Sequence, residues 1–256
     1  MMKIAKEYII DLAEKGMRID KRKADEYRKI ELETDVINTA EGSARVTLGN
    51  TVVIVGIKLI VGEPFADKPN EGVLMVGAEL APLADPEFEP GPPGIRSIEL
   101  ARVVDRTVRE SKMLDLKGLC IKEGESVWMV NVDIHVMNFD GNLIDASNIA
   151  AVAALITAKM PKYEEGKINV DEKTGPLPIT TIPMSVTVVK INGKIFVDPS
   201  KEEEEVANAR LSVGMKENGN ICSLQKGGDD GLTIEELHQI LDLAGEKNKE
   251  LRAVFR

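Results

Sequence analysis

The sequence predicts an α/β fold: two related domains with mixed sheets, preceded by a short N-terminal helix. Residues 30–60, 73–81 and 126–137 are rich in β-branched residues and are separated by turn signals, which indicates strands. Helical periodicities follow at residues 98–111 and in an alanine-rich segment that ends at Met160. The same order, strands and then a helix, recurs from Ile182 onward, which favours two repeated units.

Composition and charge limit the function classes. The 256 residues suffice for one large domain or two smaller ones, and 43% apolar with 30% charged residues is typical of a globular protein. A net charge of -10 excludes a surface that coats nucleic acid throughout, so any RNA contact must be local. The chain shows neither a long apolar span nor a secretory signal, which predicts a cytoplasmic protein without a membrane partner.

The first 60 residues predict a helix followed by strands. Tyr8 and Leu12 recur four residues apart and Gly16 follows, which predicts a helix over residues 1–16. Turns at residues 41–42 and 49–50 separate the strands, and the apolar run at residues 52–56 predicts a strand buried on both faces. Four prolines make residues 84–94 an irregular loop.

Residues 126–137 alternate between apolar and polar side chains, which predicts a strand with one buried face. Its polar face carries Asp133 and His135. His135 is either an acid–base group or, as we favour, a histidine at an interface or core edge. Asp145 or Ser147 is expected to cap the alanine-rich helix, which should be wholly buried.

The second half repeats the pattern after a predicted linker at residues 162–178. Strands are expected at residues 182–189, 194–197, 209–215 and 220–225, with Asn-Gly turns at residues 192–193 and 218–219. Thr233 and Glu236 form a capping box that starts the closing helix. The predicted domains are therefore residues 17–161 and 179–256.

The segment at residues 98–111 predicts a helix with three arginines, Arg102, Arg106 and Arg109, on the face opposite its apolar side chains Leu100, Val103, Val104 and Val108. The three arginines cover roughly 10 Å of helix, enough to contact more than one phosphate of an extended strand. Alternatively, they pair locally with acidic neighbours, namely Glu99, Asp105 and Glu110.

Five segments together resemble the ribonuclease PH family, specifically its archaeal exosome branch: GMRIDKR, EGSARVTLGNTVVIVGIKL, ELARVVDRTVRES, DIHVMNFDGNLIDASNIAAVAAL and VDPSKEEEEVANARLSV. The resemblance covers nearly the whole chain. It implies two βαβα domains, of the ribosomal protein S5 domain 2-like fold, and a six-membered ring. Active members of the family trim RNA from its 3′ end with inorganic phosphate as the attacking group.

Two departures from the active pattern set this chain apart. Active members carry Gly-Gly-Thr-Arg or Gly-Gly-Ser-Arg as the phosphate-binding segment, where this chain has Gly141, Asn142, Leu143 and Ile144. Active members resemble Gly-Asp-Ala-Asp before a later strand, where this chain has Ala207, Asn208, Ala209 and Arg210. Leucine and isoleucine cannot donate hydrogen bonds to an anion, and neither asparagine nor arginine can act as the acid.

The pattern therefore resembles the non-catalytic subunit of the archaeal exosome ring. The resemblance implies a trimer of heterodimers with a catalytic ribonuclease PH-like partner, RNA-binding cap subunits and single-stranded RNA. Arg102 and Arg106 match the arginines that hold RNA at the partner's site, and Arg109 is a weaker candidate. No cofactor or metal is expected in this chain, because inorganic phosphate acts at the partner's site.

Several alternatives stay open at this stage. The chain could itself be a phosphorolytic exoribonuclease with its acid among residues 202–205, or a purely structural ring spacer. The run at residues 201–205 could hold a cation, although a solvated helical turn is favoured. Arg18 and Arg22 could contact RNA or a neighbouring subunit. Cys120 and Cys222 lack the spacing of a zinc site or a disulfide framework.

Overall fold

The computed structural model describes residues 3–164 and 166–255. It opens with helix α1, Lys3–Glu14, as the sequence predicts. The buried face of α1 is formed by Ile9 and Ala13, whereas Tyr8 is 55% exposed. The predicted buried face of the helix was therefore wrong by one position. Residues 8 and 12 and residues 9 and 13 have the same four-residue spacing, so the spacing alone does not say which pair is buried. Packing of Ala13 with Val189, Ile191 and Phe196 buries the second pair.

The first sheet is mixed, as predicted. Its strands are β1 Ile30–Thr34, β2 Gly42–Leu48, β3 Thr51–Gly62, β4 Val73–Leu80, β5 Cys120–Lys122 and β6 Ser126–Asn138. The order is β1-β2-β3-β6-β4, with β5 paired to β6. Only the β4–β6 pairing within this sheet is parallel. The connection from β4 to β6 runs through helix α2, Ile95–Glu110, which carries the three arginines.

One face of this sheet is buried and the other is partly open to solvent. On β6 the alternating apolar side chains form the buried face, as predicted, while Asp133 and His135 are exposed; the buried residues are Trp128, Val130, Val132, Ile134 and Val136. The expectation that the 52–56 run is buried on both faces was wrong. In β3 one face is fully buried and the other is half-buried, because helices cover only one side of the sheet.

Helix α3, Leu143–Thr157, lies between the two sheets and is almost entirely buried. It packs on β2 and β3 on one side and on strand β9, Met184–Ile191, of the second sheet on the other. Small alanine side chains suit a helix that has a sheet on each side, since they allow close approach. Gly42 on β2 shows how close this is, because a Cβ there would lie 2.3 Å from the carbonyl oxygen of Ala154.

The limits of α3 differ from those predicted. Its N-cap is Asn142 in the left-handed conformation, with φ of 52°, and neither Asp145 nor Ser147 serves as the cap. The helix ends at Thr157 and not at Met160, because the proline at position 161 disfavours helical geometry in the residue before it. Residues 159–176 then form a hairpin of β7, Lys159–Glu164, and β8, Lys167–Pro176, which begins three residues before the predicted linker at residues 162–178 and occupies most of it.

The second sheet contains four described strands in the order β10-β9-β11-β12, all antiparallel. They are β9 Met184–Ile191, β10 Lys194–Val197, β11 Ala209–Met215 and β12 Ile221–Gly227. Helix α4, Lys201–Val206, and helix α5, Ile234–Leu251, complete this half, and short 3-10 helices span Lys117–Leu119 and Arg252–Phe255. The predicted capping box of Thr233 and Glu236 is present at the start of α5.

A main apolar core runs through both halves, from Ala44 on β2 to Leu251 on α5. At the start of α3 a buried polar cluster joins the same halves. Asp145 accepts hydrogen bonds from the hydroxyl of Tyr27 at 2.8 Å and from the hydroxyl of Thr187 at 2.9 Å. Burial raises the pKa of Asp145, so the hydrogen bonds around this carboxyl compensate for its removal from water. No helix among the described residues is long and apolar enough to cross a membrane.

Candidate nucleic-acid interface

The arginine helix α2 is amphipathic in the way the sequence predicts. Its apolar residues Leu100, Val103, Val104 and Val108 are all buried, packed toward β4 and α3. The rigid sheet below therefore fixes the rotation of the helix about its axis. Arg102 and Arg106 consequently stand on the outer face, where both residues are exposed.

Arg102 and Arg106 have no hydrogen-bond or ion-pair partner within residues 3–164 and 166–255. They lie between two shallow grooves. One groove, of about 290 Å³, separates α2 from β12 and is lined by Ile98 and Leu224. The other, of about 350 Å³, lies toward β4 and is lined by Val76 and Asp105. Two neighbouring guanidinium groups without internal partners are available to an external anion.

Arg109 differs from the other two arginines. Its guanidinium contacts the carboxylate of Asp105 at 2.6 and 3.0 Å and donates to the carbonyl of Leu74 at 2.8 Å. The hydrogen bond to Asp105 raises the pKa of Arg109. Arg109 therefore pairs with an acidic neighbour on its own helix, which is the alternative that the sequence left open for all three arginines. Glu99, which could have paired with the same face, instead contacts Arg210 in the second half.

The two departures from the active family pattern meet in one cleft of about 420 Å³ beside α2. Leu143 and Ile144 reach it from the first turn of α3, and Ala207, Ala209 and Arg210 reach it from the start of β11. The segments lie some 60 residues apart in the sequence, so only the fold shows that they share a site. The α3 side chains at this cleft are apolar and donate no hydrogen bonds to an anion.

The charged groups that line this cleft are mostly paired with each other. Arg96 lies 3.4 Å from Glu87, Lys201 contacts Asp85, and Arg210 contacts Glu99. Each of these cations is therefore balanced by a carboxylate from another element. Pairing of this kind reduces the attraction that the cleft can exert on a phosphate group.

Glu204 is the group in this cleft whose properties the sequence did not reveal. Its carboxylate accepts the backbone N–H of Asn142 at 2.9 Å, at the start of α3. Burial raises the pKa of Glu204 to about 7. The favoured interpretation of residues 201–205 as a solvated helical turn was only half right: they begin a helix, α4, but Glu203 is buried and Glu204 is partly buried.

Arg18 and Arg22 are internal groups and do not form an exposed surface. The side chain of Arg18 is fully buried, contacts Glu203 at 2.5 Å and donates to the carbonyls of Val197 and Asp198. Arg22 contacts the buried Asp198 at 2.9 Å. Contact with RNA or a neighbouring subunit, which the sequence left open for both arginines, does not fit the fully buried side chain of Arg18, whereas the side chain of Arg22 is 10% exposed. Their sequence neighbours gave no sign of these distant acidic partners.

His135 lies on the open face of the first sheet, with Nδ1 3.1 Å from the carboxylate of Glu79. About half of its side chain is exposed, so it is not a core-edge residue. It does not line the arginine grooves or the cleft. Among the described residues, no three His, Cys, Asp or Glu side chains are grouped so that they could hold a metal ion.

Comparison with known proteins agrees with this geometry. The family model for the 3′ exoribonuclease family, domain 1, matches residues 26–161, and the model for domain 2 of that family matches residues 181–247. The exosome complex component Rrp42 of Methanothermobacter thermautotrophicus is 48% identical over 251 residues, covering 97% of this chain and 93% of the relative. The exosome complex component Rrp42 of Pyrococcus furiosus is 46% identical, covering 98% and 92%.

Solved structures give the same result. A chain of the Archaeoglobus fulgidus exosome with RNA bound to the active site superposes with a TM-score of 0.93 at 45% identity, covering 99% of this chain and 98% of that one. A chain of an archaeal exosome core superposes with a TM-score of 0.87 at 42% identity, covering 97% and 95%. Since both family models match in order and the relatives align over nearly their full length, the chain belongs to the 3′ exoribonuclease family, the ribonuclease PH family.

Proposed function

We propose that this chain is a ring subunit of an archaeal exosome, and that it binds single-stranded RNA without catalysing turnover itself. It alternates with a catalytic ribonuclease PH-like subunit in a trimer of heterodimers, and RNA-binding caps recruit the substrate. The observation that carries the proposal is the exposed pair Arg102 and Arg106, which has no internal partner in the described chain. Relatives named as exosome components, with 46 to 48% identity, support the assembly.

The arginine pair suits an RNA backbone. Arg102 and Arg106 lie one helical turn apart, about 6 Å along the axis. Guanidinium groups bind phosphate in two-point geometry and contribute to affinity without reading sequence. In a chain with a net charge of -10, two neighbouring arginines that no described residue pairs with concentrate the attraction for an anion at one place. This is the local contact that the composition allows.

The residues of the cleft support the proposal that this chain does not catalyse turnover. Phosphorolysis requires donors for the attacking phosphate and an acid for the leaving group. Leu143 and Ile144 supply no donor, and Arg210 reverses the charge expected of an acid. We therefore assign phosphate binding and proton transfer to the partner's site, with no cofactor or metal in this chain. The assembly acts on RNA in the cytoplasm.

A second candidate function is an active exoribonuclease that uses Glu204 as its acid. One observation favours it: the pKa of Glu204 is raised to about 7, the range suited to a general acid at neutral pH. Against it, the carboxylate accepts the backbone N–H of Asn142, and each cation lining the cleft in the described part of the chain already contacts a carboxylate, so none is left to hold phosphate.

Reconstitution separates the candidates. End-labelled single-stranded RNA is incubated with inorganic phosphate and either this chain, the catalytic subunit, or both. We expect full release of nucleoside diphosphates only from the mixture, which light scattering should show to be a hexamer. Release by this chain alone, lost in Glu204→Gln, would establish the second candidate.

Arginine variants of the assembled ring test the RNA contact. Arg102→Ala with Arg106→Ala should lower RNA affinity and reduce the slope of log affinity against log salt by about 0.7 for each lost phosphate contact. Arg109→Ala is the matched control, since Asp105 already holds that side chain, and its effect should be smaller. Unchanged affinity and slope in the double variant would leave the purely structural spacer as the function.

A further inference from the structure

Helix α2 is fastened to the second sheet at two points, one on each side of Arg102 and Arg106. Near its start, Glu99 forms an ion pair with Arg210 on β11. Near its end, the hydroxyl of Thr107 lies 2.8 Å from the hydroxyl of Ser223 on β12, and both groups are buried. The segment that carries the two arginines is thus held at both ends by the second half of the chain.

Arg210 is well placed for this contact. It lies on an inner strand, between β9 and β12, and pairs in register with Gly227 of β12. A Cβ at Gly227 would lie 2.9 Å from the guanidinium of Arg210, so the glycine leaves the space through which the side chain crosses β12 toward α2. The Arg210 and Glu99 side chains are only 23% and 35% exposed, which limits screening by water.

Glu99 also lies three residues before Arg102, so the two occupy adjacent positions on the helix surface. A carboxylate at this spacing attracts the arginine and competes with any external phosphate. In the structure the carboxylate of Glu99 is engaged by Arg210 instead, and Arg102 has no ion-pair partner among the described side chains. The pairing with Arg210 therefore both fixes α2 and keeps Arg102 available.

We propose that Arg210 is a positioning residue for RNA binding, which acts by sequestering Glu99 from Arg102. The proposal rests on the proposed function, because it requires that Arg102 bind RNA. It also gives a role to a residue that stands where active family members carry an acid. The arginine that replaces the acid at this position of the cleft is the same cation that forms the ion pair with Glu99.

A charge-deletion cycle in the assembled ring tests this role. Arg210→Met frees Glu99, so RNA affinity should fall about two- to threefold and the KM of RNA degradation should rise, with kcat unchanged. Glu99→Gln should keep or increase affinity. The double variant Glu99→Gln with Arg210→Met should recover the wild-type affinity, because no carboxylate remains beside Arg102. Arg210→Lys, which retains the cation, should stay close to wild type.

Recovery of RNA affinity in the double variant would show that Arg210 acts by sequestering Glu99. If Arg210→Met instead weakened binding through lost packing, the additional Glu99→Gln substitution would not restore the affinity. Thermal unfolding and light scattering of each variant ensure that folded rings are compared. Wild-type affinity in Arg210→Met, or a double variant as weak as Arg210→Met, would overturn the inference. Arg102→Ala in the same assay distinguishes failure of the proposed function from failure of the inference alone. If the Arg102→Ala ring binds RNA normally, the proposed function fails as well. If it binds RNA weakly while the Arg210→Met ring does not, only the inference fails.

Discussion

Arginine side chains in this chain have opposite roles that depend on partners far away in the sequence. Arg102 and Arg106 project from a helix without partners among the described residues, whereas Arg18 is buried against the carboxylate of Glu203 and several backbone carbonyl groups. Periodicity along α2 was enough to predict the exposed pair and its buried opposite face. The carboxylate partner of Arg18, Glu203, lies 185 residues away, so no local pattern could have indicated this ion pair.

The pKa of Glu204 leads to a pH-dependence prediction. Burial raises the pKa from 4.5 to about 7, so between these values the folded state binds more protons than the unfolded state. The free energy of unfolding should therefore fall as pH rises from about 4.5 to 7, by an amount on the order of 3 kcal/mol from this group. Glu204→Gln should remove that part of the decrease, as measured by urea unfolding at pH 5 and pH 8.

Other carboxyl groups with a raised pKa, such as Asp145, contribute equally to the pH dependence of stability in wild type and variant. The difference between the two proteins therefore reports the contribution of Glu204. The control is Glu202→Gln, which changes a carboxyl of the same helix that does not line the cleft. If Glu204→Gln and wild type show the same pH dependence, the buried carboxyl is not the source of the effect.

Secondary-structure elements were predicted best where local signals determine them. Strands β10 and β11 have the predicted limits, and the capping box of α5 is at the predicted position. The start of α3 was missed because its N-cap, Asn142, is in a left-handed conformation stabilised from outside the helix, by a hydrogen bond of 2.7 Å to Asp198. Asp198 lies 56 residues away. A hydrogen bond between residues so far apart forms only in the folded chain, so local sequence patterns did not indicate it.

The packing of α3 against β2 gives a prediction for a single methyl group. Gly42→Ala places a Cβ 2.3 Å from the carbonyl oxygen of Ala154 and 2.6 Å from the Cα of Ala158, and both are backbone atoms. The helix must move away from the sheet, so stability should fall by about 1 to 3 kcal/mol. Urea unfolding measures the loss.

Gly56→Ala on the adjacent strand β3 is the matched control for this prediction. Its Cβ would have no neighbour nearer than 3.8 Å, so its stability should stay close to wild type. If both variants lost the same stability, a general cost of alanine in these strands would explain the result, and the close contact with α3 would not.

At the scale of the whole molecule, Asp198 joins parts of the chain that are distant in sequence. Its buried carboxylate contacts Arg22 at 2.9 Å, Arg28 at 2.8 Å and the side-chain amide of Asn142 at 2.7 Å. Burial is the largest single effect and acts to raise the pKa of Asp198, but the hydrogen bonds and positive charge of Arg28 and the hydrogen bond from Asn142 together outweigh it, so the pKa is below its ordinary value. This carboxylate therefore stabilises the fold above about pH 4 and ceases to do so as it becomes protonated.

Asp198→Asn should lower the free energy of unfolding by about 3 to 5 kcal/mol, because it removes the buried carboxylate that the largely buried guanidinium groups of Arg22 and Arg28 share. Asp140→Asn is the control, since Asp140 lies 3.7 Å from Arg28 and is partly exposed. That substitution should cost less than about 1 kcal/mol. Urea unfolding at pH 7 compares the two, and equal losses would contradict the central role of Asp198.

The domain limits at residues 17–161 and 179–256 remain a prediction, since the main core is shared between the halves. The shared element is α3, with a sheet against each side and nearly every side chain buried. Its amide hydrogens reach water only when both sheets separate from it. The two halves should therefore open together, and we expect hydrogen exchange in α3 to report the free energy of unfolding of the entire chain.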